Sequence, residues 1–178
     1  TTAATGSETL TSIENNLMKV TFTNKGGRVQ SVLLKKYLSH DSLPVVLSGT
    51  KDQLSYAVNT GANKASQTGD LFFNTGAITK QADGSQQISF TMQSQTGESI
   101  VHSYTIKPDA YMIDWNLGLT GADKLLSQGQ LNMQWHSVTK QLERTAAYER
   151  QMSNICFSEG NDFDYISSKT EHQFEKPV

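Results

Sequence analysis

The stretch NLMKVTFTNKGGRVQSVLLKKY, residues 16–37, decides the fold of this chain. From 18 to 22 every second residue is apolar, which is the period typical of a half-buried β-strand. The four residues NKGG, 24–27, accept the positive φ angles that a tight hairpin turn requires. The chain then returns through the more continuously apolar stretch 29–34, a pattern that predicts a strand covered on both faces. We therefore predict an antiparallel β-hairpin here.

The same alternation recurs in the middle of the chain, where it predicts a three-stranded meander. Apolar and polar residues alternate over 87–95 and 111–119, and less cleanly over 99–107. Only residues 141–152 favour a helix, since they lack Gly and Pro and contain good helix formers. The whole chain is consistent with about ten to thirteen short strands between Gly, Asn and Asp turns, without βαβ alternation. We predict an all-β fold: a large antiparallel β-sandwich with at most one or two short helices, and a closed barrel as the second choice.

Two further stretches carry structural predictions. Residues 59–69, NTGANKASQTG, contain no apolar anchor, and we interpret them as an exposed loop. Residues 129–138 predict a strand that places Leu131, Met133 and Trp135 on one face.

The composition excludes several classes of protein. The 178 residues have a net charge of −2 and a pI near 6.0, without the basic patch of a nucleic-acid binder. No apolar run reaches the roughly 20 residues that span a bilayer, and no signal peptide is visible, so the sequence indicates a soluble fragment or mature domain. Cys156 is the only cysteine, which excludes an intrachain disulfide. Its neighbours Ile155 and Phe157 predict a small buried side chain rather than a reactive thiol.

The sequence contains little that predicts chemistry. The four histidines lack metal-ligand spacing, no phosphate or dinucleotide motif appears, and the acidic stretch 159–164 fits a solvated turn better than a calcium loop. One constellation remains: Trp135 and His136 on the predicted strand, with Glu143 and Glu149 downstream. A His–Glu pair can act as acid and base on a sugar, and an exposed Trp can stack on it. The competing interpretation, which we favour, places Trp135 in the core with His136 pointing outward.

The hairpin also contains a recognisable signature. A strand, a Thr-Asn-x-Gly-Gly turn, a second strand with spaced aliphatic residues and a closing Tyr occur in fixed order. This pattern resembles the N-terminal part of the large periplasmic domain of the YidC family, the membrane protein insertases of Gram-negative bacteria. Weaker agreement extends through the meander. The signature residues are Val20, Phe22, Thr23, Asn24, Gly26, Gly27, Val29, Val32, Leu34 and Tyr37.

The resemblance implies a fold and a location. The family domain is a β-supersandwich, similar to galactose mutarotase, and lies in the periplasm between the first and second transmembrane helices of an inner-membrane protein. By this resemblance residues 8–178 correspond to that domain, truncated at its C-terminal end. Residues 1–7 are then a linker end or a cloning remnant.

The resemblance also implies a function. The family assists insertion and folding of inner-membrane proteins, alone or with the Sec translocon and its accessory components. Nascent membrane proteins are handled by membrane helices that this chain does not contain. The signature residues are structural, so the resemblance implies a non-catalytic interaction domain without a cofactor, a metal or a nucleic-acid partner.

Two alternatives remain open at this point. One is a mutarotase-like or carbohydrate-binding protein that uses Trp135, His136 and one of the two glutamates. The other is a chaperone-like domain that binds extended polypeptide along an exposed sheet face or edge.

Overall fold

The computed structural model describes residues 4–47, 49, 51–61, 64–159, 162–167, 171 and 174. Its contacts group the chain into two units, Thr1–Tyr37 with Pro44–Thr139 and Leu38–Leu43 with Lys140–Val178. Among the described residues no helix is long and apolar enough to cross a bilayer.

The first unit is built from three antiparallel sheets. The first has the order β1-β2-β3-β4, the second β11-β10-β9-β7 with β8 also paired to β9, and the third β12-β5-β6. The strands are β1 Leu10–Glu14, β2 Met18–Thr23, β3 Arg28–Leu38, β4 Pro44–Leu47, β5 Gln53–Gly61, β6 Lys64–Gln67, β7 Asn74–Thr75, β8 Thr79–Lys80, β9 Gln86–Gln93, β10 Ser99–Ile106, β11 Ile113–Thr120 and β12 Met133–His136. One short helix, α1 Ala122–Leu125, follows β11. The predicted hairpin is β2–β3 and the predicted meander is β9–β10–β11, so both are confirmed.

The apolar faces of the sheets share one core, which makes this unit a β-sandwich. Phe22 of the first sheet packs at ring-centroid distances of 5.8 Å from Phe90 and 4.9 Å from Tyr104 of the second sheet. Strand alternation explains this core, because every second side chain of a strand faces the same side. The predicted all-β sandwich is therefore confirmed. The buried core residues are Ile13, Met18, Val20, Phe22, Val32, Tyr56, Val58, Leu71, Phe73, Ile88, Phe90, Ile100, Tyr104, Ile106 and Leu125.

Strand β3 is less covered than its apolar sequence predicts. Val32 is buried, but its neighbours Leu33 and Leu34 are half-buried. Because these two leucines point to opposite faces of the sheet, each face of β3 is only partly covered.

A buried asparagine joins the first two sheets. Asn15, 8% exposed, lies in the turn between β1 and β2. Its Nδ2 donates to the carbonyls of Lys107 (2.7 Å) and Ala110 (2.8 Å). Its Oδ1 accepts from the backbone N–H groups of Leu17 and Met18. Each polar atom of this amide is thus used twice, as burial requires.

The prediction of an exposed loop at residues 59–69 is wrong for most of that stretch. The chain instead forms the β5–β6 hairpin, although residues 62 and 63 lie outside the described part. Hydroxyl groups supply the anchors that apolar side chains do not. The Thr68 hydroxyl accepts from the Tyr56 N–H at 3.1 Å, and the Ser55 hydroxyl accepts from the Gly69 N–H at 3.0 Å.

The second unit contains α2 Ala146–Met152, β13 Asn154–Glu159 and β14 Asp162–Ser167. The helix predicted at 141–152 is confirmed only from Ala146 onward. Cys156 is exposed, so the prediction that it is buried is wrong. Cys156 lies opposite Tyr165 in the β13–β14 sheet. Within the described residues this sheet has only these two strands. Residues 160 and 161 of the acidic stretch, and the histidine at 172, lie outside the described residues.

Candidate functional site: a buried polar network and a cleft

The twin-glycine turn is held by a distant segment of the chain as well as by its own strands. Gly26 and Gly27 have φ angles of 80° and 57°, values that glycine adopts without strain. The Gly26 N–H donates to the Leu71 carbonyl at 2.7 Å, and the Phe73 N–H donates to the Asn24 carbonyl at 2.9 Å. The turn is therefore a docking point for residues 71–73 as well as a reversal of direction.

The Gly27 carbonyl is the centre of a buried polar network. It accepts hydrogen bonds from His102 Nδ1 at 2.8 Å and from the Tyr104 hydroxyl at 2.9 Å. Since a carbonyl only accepts, Nδ1 of His102 must carry the proton. Nε2 is then free to accept from the Tyr56 hydroxyl, 2.8 Å away. The geometry thus assigns a neutral His102 in its Nδ1–H tautomer.

Burial keeps this network uncharged at neutral pH. His102, Tyr56 and Tyr104 are each no more than 2% exposed. Burial lowers the pKa of His102, and its hydrogen bond to the Gly27 carbonyl opposes this only in part. Burial raises the pKa of both tyrosine hydroxyls above the usual range. A charged form of any of the three would lose its hydration on burial, and the nearby Arg28 offsets this cost for Tyr104 only in part.

Close packing explains why the second position of the turn is glycine. A Cβ on Gly27 would lie 2.9 Å from Phe90 Cβ, 3.2 Å from Phe73 Cγ and 3.3 Å from His102 Nδ1. The nearest of these distances is shorter than real Cβ contacts allow.

The other signature residues differ in burial. Val20, Phe22 and Thr23 are fully buried, and Val32 is nearly so. Val29 and Leu34 are half-buried and pack against the core. Tyr37 is half exposed, and its ring contacts that of Tyr111 at 5.8 Å.

An open cleft of about 530 Å³ lies beside this network. Leu71 and Ile100 both line the cleft and connect it to the buried network. The Leu71 carbonyl accepts from the N–H of Gly26 in the twin-glycine turn, and Ile100 is the residue before His102 on the inner face of β10. The walls are the end of β5, the β9–β10 hairpin and α1. The cleft combines an apolar floor with amide and hydroxyl groups, as binding sites for small molecules and peptides commonly do. Its lining residues are Asn59, Thr60, Gly61, Leu71, Met92, Gln93, Ser94, Gln95, Thr96, Glu98, Ser99, Ile100, Lys124 and Leu125.

Among the described residues that line this cleft, only Glu98 and Lys124 have ionisable side chains, and the two neutralise each other. Glu98 Oε1 accepts from Lys124 Nζ at 3.0 Å, and the hydroxyls of Ser94 and Thr96 donate to Glu98 Oε2. These hydroxyls, Ser94 first, lower the pKa of Glu98 to about 2, with a smaller contribution from Lys124. The Asn59 side chain donates to the Lys124 carbonyl at 3.0 Å and ties β5 to α1. The cleft therefore offers neutral hydrogen-bonding groups rather than a free charge.

The predicted strand at 129–138 is shorter than expected, and its tryptophan is not in the core. Trp135 is 82% exposed on β12, so the favoured core interpretation is wrong. β12 is the edge of its sheet and pairs only with β5 in the described part of the chain, which leaves all four of its side chains exposed. Trp135 and His136 line an open recess with Lys51, Gln53, Met133 and Gln134.

The two glutamates of the predicted acid–base site belong to the second unit. There the Glu149 carboxylate accepts from the Leu142 N–H at 3.0 and 3.2 Å and from the Glu143 N–H at 3.4 Å. Glu149 thus stabilises the chain before α2. Pairing of His136 with Glu143 or Glu149 stays a prediction.

Sequence reasoning missed His102, Glu98 and Asn15 as the polar residues on which the fold depends. A signal was present for His102, because the inner face of β10 reads Ile100, His102, Tyr104, Ile106. A histidine in an apolar row of a strand has to satisfy two ring nitrogens inside the protein.

The architecture defines the chain as an all-β sandwich domain. The family model of the YidC periplasmic domain matches residues 10–176, and the chain therefore belongs to that family. It is 32% identical over 174 residues to the membrane protein insertase YidC of Bacteroides fragilis, covering 96% of this chain and 27% of that protein. The insertase of Phocaeicola vulgatus is 29% identical over 169 residues, covering 93% of this chain and 26% of that protein.

A third relative, the membrane protein insertase YidC of Cytophaga hutchinsonii, is 30% identical over 159 residues, covering 87% of this chain and 25% of that protein. The chain thus spans about a quarter of the length of these curated relatives. No solved structure matches the chain, so the implied likeness to galactose mutarotase stays a prediction.

Proposed function

We propose that residues 8–178 form a non-catalytic interaction domain of a YidC-type membrane protein insertase, located in the periplasm. In this proposal the domain assists the insertion and folding of inner-membrane proteins, alone or with the Sec translocon. Membership of the YidC periplasmic domain family supports the proposal, as does the similarity to the membrane protein insertase of Bacteroides fragilis.

One structural observation carries the non-catalytic part of the proposal. Strongly buried ionisable side chains are satisfied within the fold: His102 with Gly27 and Tyr56, Glu98 with Ser94 and Lys124, and Asp52 with the N–H groups of Gly49 and Val138. A general acid or base has to reach a substrate and exchange a proton with it. Side chains whose hydrogen bonds are already complete favour a structural role, and the neighbouring neutral cleft favours binding.

Deletion of the domain from the intact insertase tests this proposal. The deletion variant keeps all membrane helices and replaces residues 8–178 with a Gly/Ser linker. We expect reduced insertion of a reporter membrane protein or loss of co-purification with Sec components. His102→Gln, which leaves the domain present, serves as the control for catalysis by the buried His102 and is expected to retain insertion. Normal growth, insertion and co-purification after deletion would refute an interaction role.

The exposure of Trp135 favours a second candidate function, binding of carbohydrate. An indole that is 82% exposed beside His136 and Gln53 offers a stacking surface with polar neighbours. The test is a titration with hexoses and oligosaccharides, monitored by thermal shift, of the wild type, Trp135→Ala and His136→Ala. Binding that both substitutions abolish would support this candidate. No thermal shift, together with unchanged behaviour of His136→Ala, would exclude it.

A further inference from the structure

Strand β11 is a long edge without the protection that edge strands usually have. It pairs with β10 through all eight residues, Ile113↔Ile106 to Thr120↔Ser99, in unbroken register. In the described part of the chain no strand lies on its other side. An edge strand presents a row of backbone N–H and C=O groups that can pair with another chain.

The remaining sheet edges of the first unit differ from β11. β4 has four residues and begins with Pro44, β6 has four and begins with Lys64, β12 has four, β7 and β8 have two each, and β1 has five. Short strands, Pro and Lys are common means of blunting an edge. β11 contains neither Pro nor Lys, and its one charged residue, Asp114, lies 3.5 Å from Lys107 Nζ.

The inner face of β11 is also incompletely covered. On β10, which has a strand on each side, the inner residues Ile100, His102, Tyr104 and Ile106 are at most 2% exposed. On β11 the corresponding residues pack against the core but remain half-buried. They are Ile113, Trp115, Leu117 and Leu119.

Trp115 provides a second and independent sign that something is missing at this edge. Its indole Nε1 is buried, and no hydrogen-bond acceptor for it lies within the described residues. A buried donor without an acceptor costs free energy, and native proteins rarely contain one. A residue placed across from Trp115 on an added strand would lie within reach of this N–H, since cross-strand neighbours are about 5 Å apart.

We propose that an extended segment of the same polypeptide, outside residues 1–178, adds to β11 as the next strand of this sheet. The matched relatives are about four times as long as the region they share with this chain, so an intact protein of this family has ample further polypeptide. The added strand carries apolar side chains on its inner face and a hydrogen-bond acceptor opposite Trp115. This inference requires only family membership and does not rest on the proposed function.

Hydrogen exchange of the full-length insertase in detergent provides the first test. In an open edge strand alternate N–H groups point away from the neighbouring strand, so about four of the eight β11 amides would exchange fast. We expect all eight to exchange slowly, as those of β10 do, at every protein concentration and without added client polypeptide. Fast exchange of half of them would overturn the proposal. So would protection that appears only at high concentration or only with a client, which would indicate a second copy or a chaperone-like edge.

A photo-crosslinker identifies the occupant directly. We would place p-benzoylphenylalanine at Asn116 of β11 and, as the matched control, at Ser103, which lies opposite Asn116 on β10. The Asn116 variant is expected to link to a peptide from outside residues 1–178 of its own chain. The Ser103 variant is expected to link only to β9 and β11. Links from Asn116 only to β10, to another copy or to a different protein would overturn the proposal, provided that β9 and β10 amides stay protected in the variant.

Discussion

Replacing Gly27 with alanine tests whether the twin-glycine turn is fixed by its surroundings as well as by its own geometry. At a φ of 57° an alanine costs about 1–2 kcal/mol through steric contact with its own backbone. The new Cβ would also lie 2.9 Å from Phe90 Cβ and 3.2 Å from Phe73 Cγ. Crowding of this kind in a packed core typically costs about 1–3 kcal/mol. We therefore expect Gly27→Ala to lower the free energy of unfolding by about 2–5 kcal/mol.

Gly129→Ala is the matched control for this prediction. Gly129 has a φ of 68°, and nothing lies within 4 Å of a Cβ built there. Only the backbone cost of about 1–2 kcal/mol applies to it. Urea denaturation of the two variants measures the difference, and thermal unfolding should show a fall of about 4–20 °C for Gly27→Ala. Equal losses for the two variants would refute the argument that contacts with β9 and residues 71–73 require glycine.

Three further predictions follow from the buried and exposed polar groups. Asn15→Ala removes four hydrogen bonds to backbone groups and should cost about 1–3 kcal/mol in urea denaturation, whereas exposed Asn16→Ala should cost under about 0.5 kcal/mol. Because the folded pKa of His102 is lowered, the unfolded chain takes up the proton first, and stability falls as pH drops below about 6.5. The loss is at most about 1.4 kcal/mol per pH unit until the folded pKa is reached, and it should be smaller in His102→Gln. Trp135→Ala should change stability by under about 0.5 kcal/mol, and a loss of several times that size would restore its assignment to the core.

Local alternation was sufficient to predict the sandwich. The β2–β3 hairpin and the meander follow from a period of two and from turn residues, which are properties of neighbouring positions. The β5–β6 hairpin was missed because its anchors are the hydroxyls of Ser55 and Thr68, which have no periodic signature. Trp135 was misplaced because alternation does not distinguish an edge strand with both faces exposed from a strand in the core.

The buried network could not be predicted from local patterns. His102 and Gly27 are 75 residues apart, and their contact depends on how two sheets pack. Glu98 follows a turn, where an acidic residue is usually solvated, and only the approach of Lys124 and the hydroxyls of the turn explains its burial. The family signature marked the correct turn, but the pattern alone does not reveal the hydrogen-bonding role of the Gly27 carbonyl.

The Gly27 carbonyl also has a consequence for how the domain folds. Its two donors come 75 and 77 residues later in the chain, so the β2–β3 turn cannot be completed by its own hairpin. Before β10 arrives, burying this turn would leave a carbonyl without a donor. We expect the hairpin to dock onto an already formed meander in one cooperative step whose rate is limited by closing a long loop. Early folding events should then lie within the meander. The twin-glycine turn, although it precedes the meander in sequence, should be among the last parts whose amides become protected from hydrogen exchange.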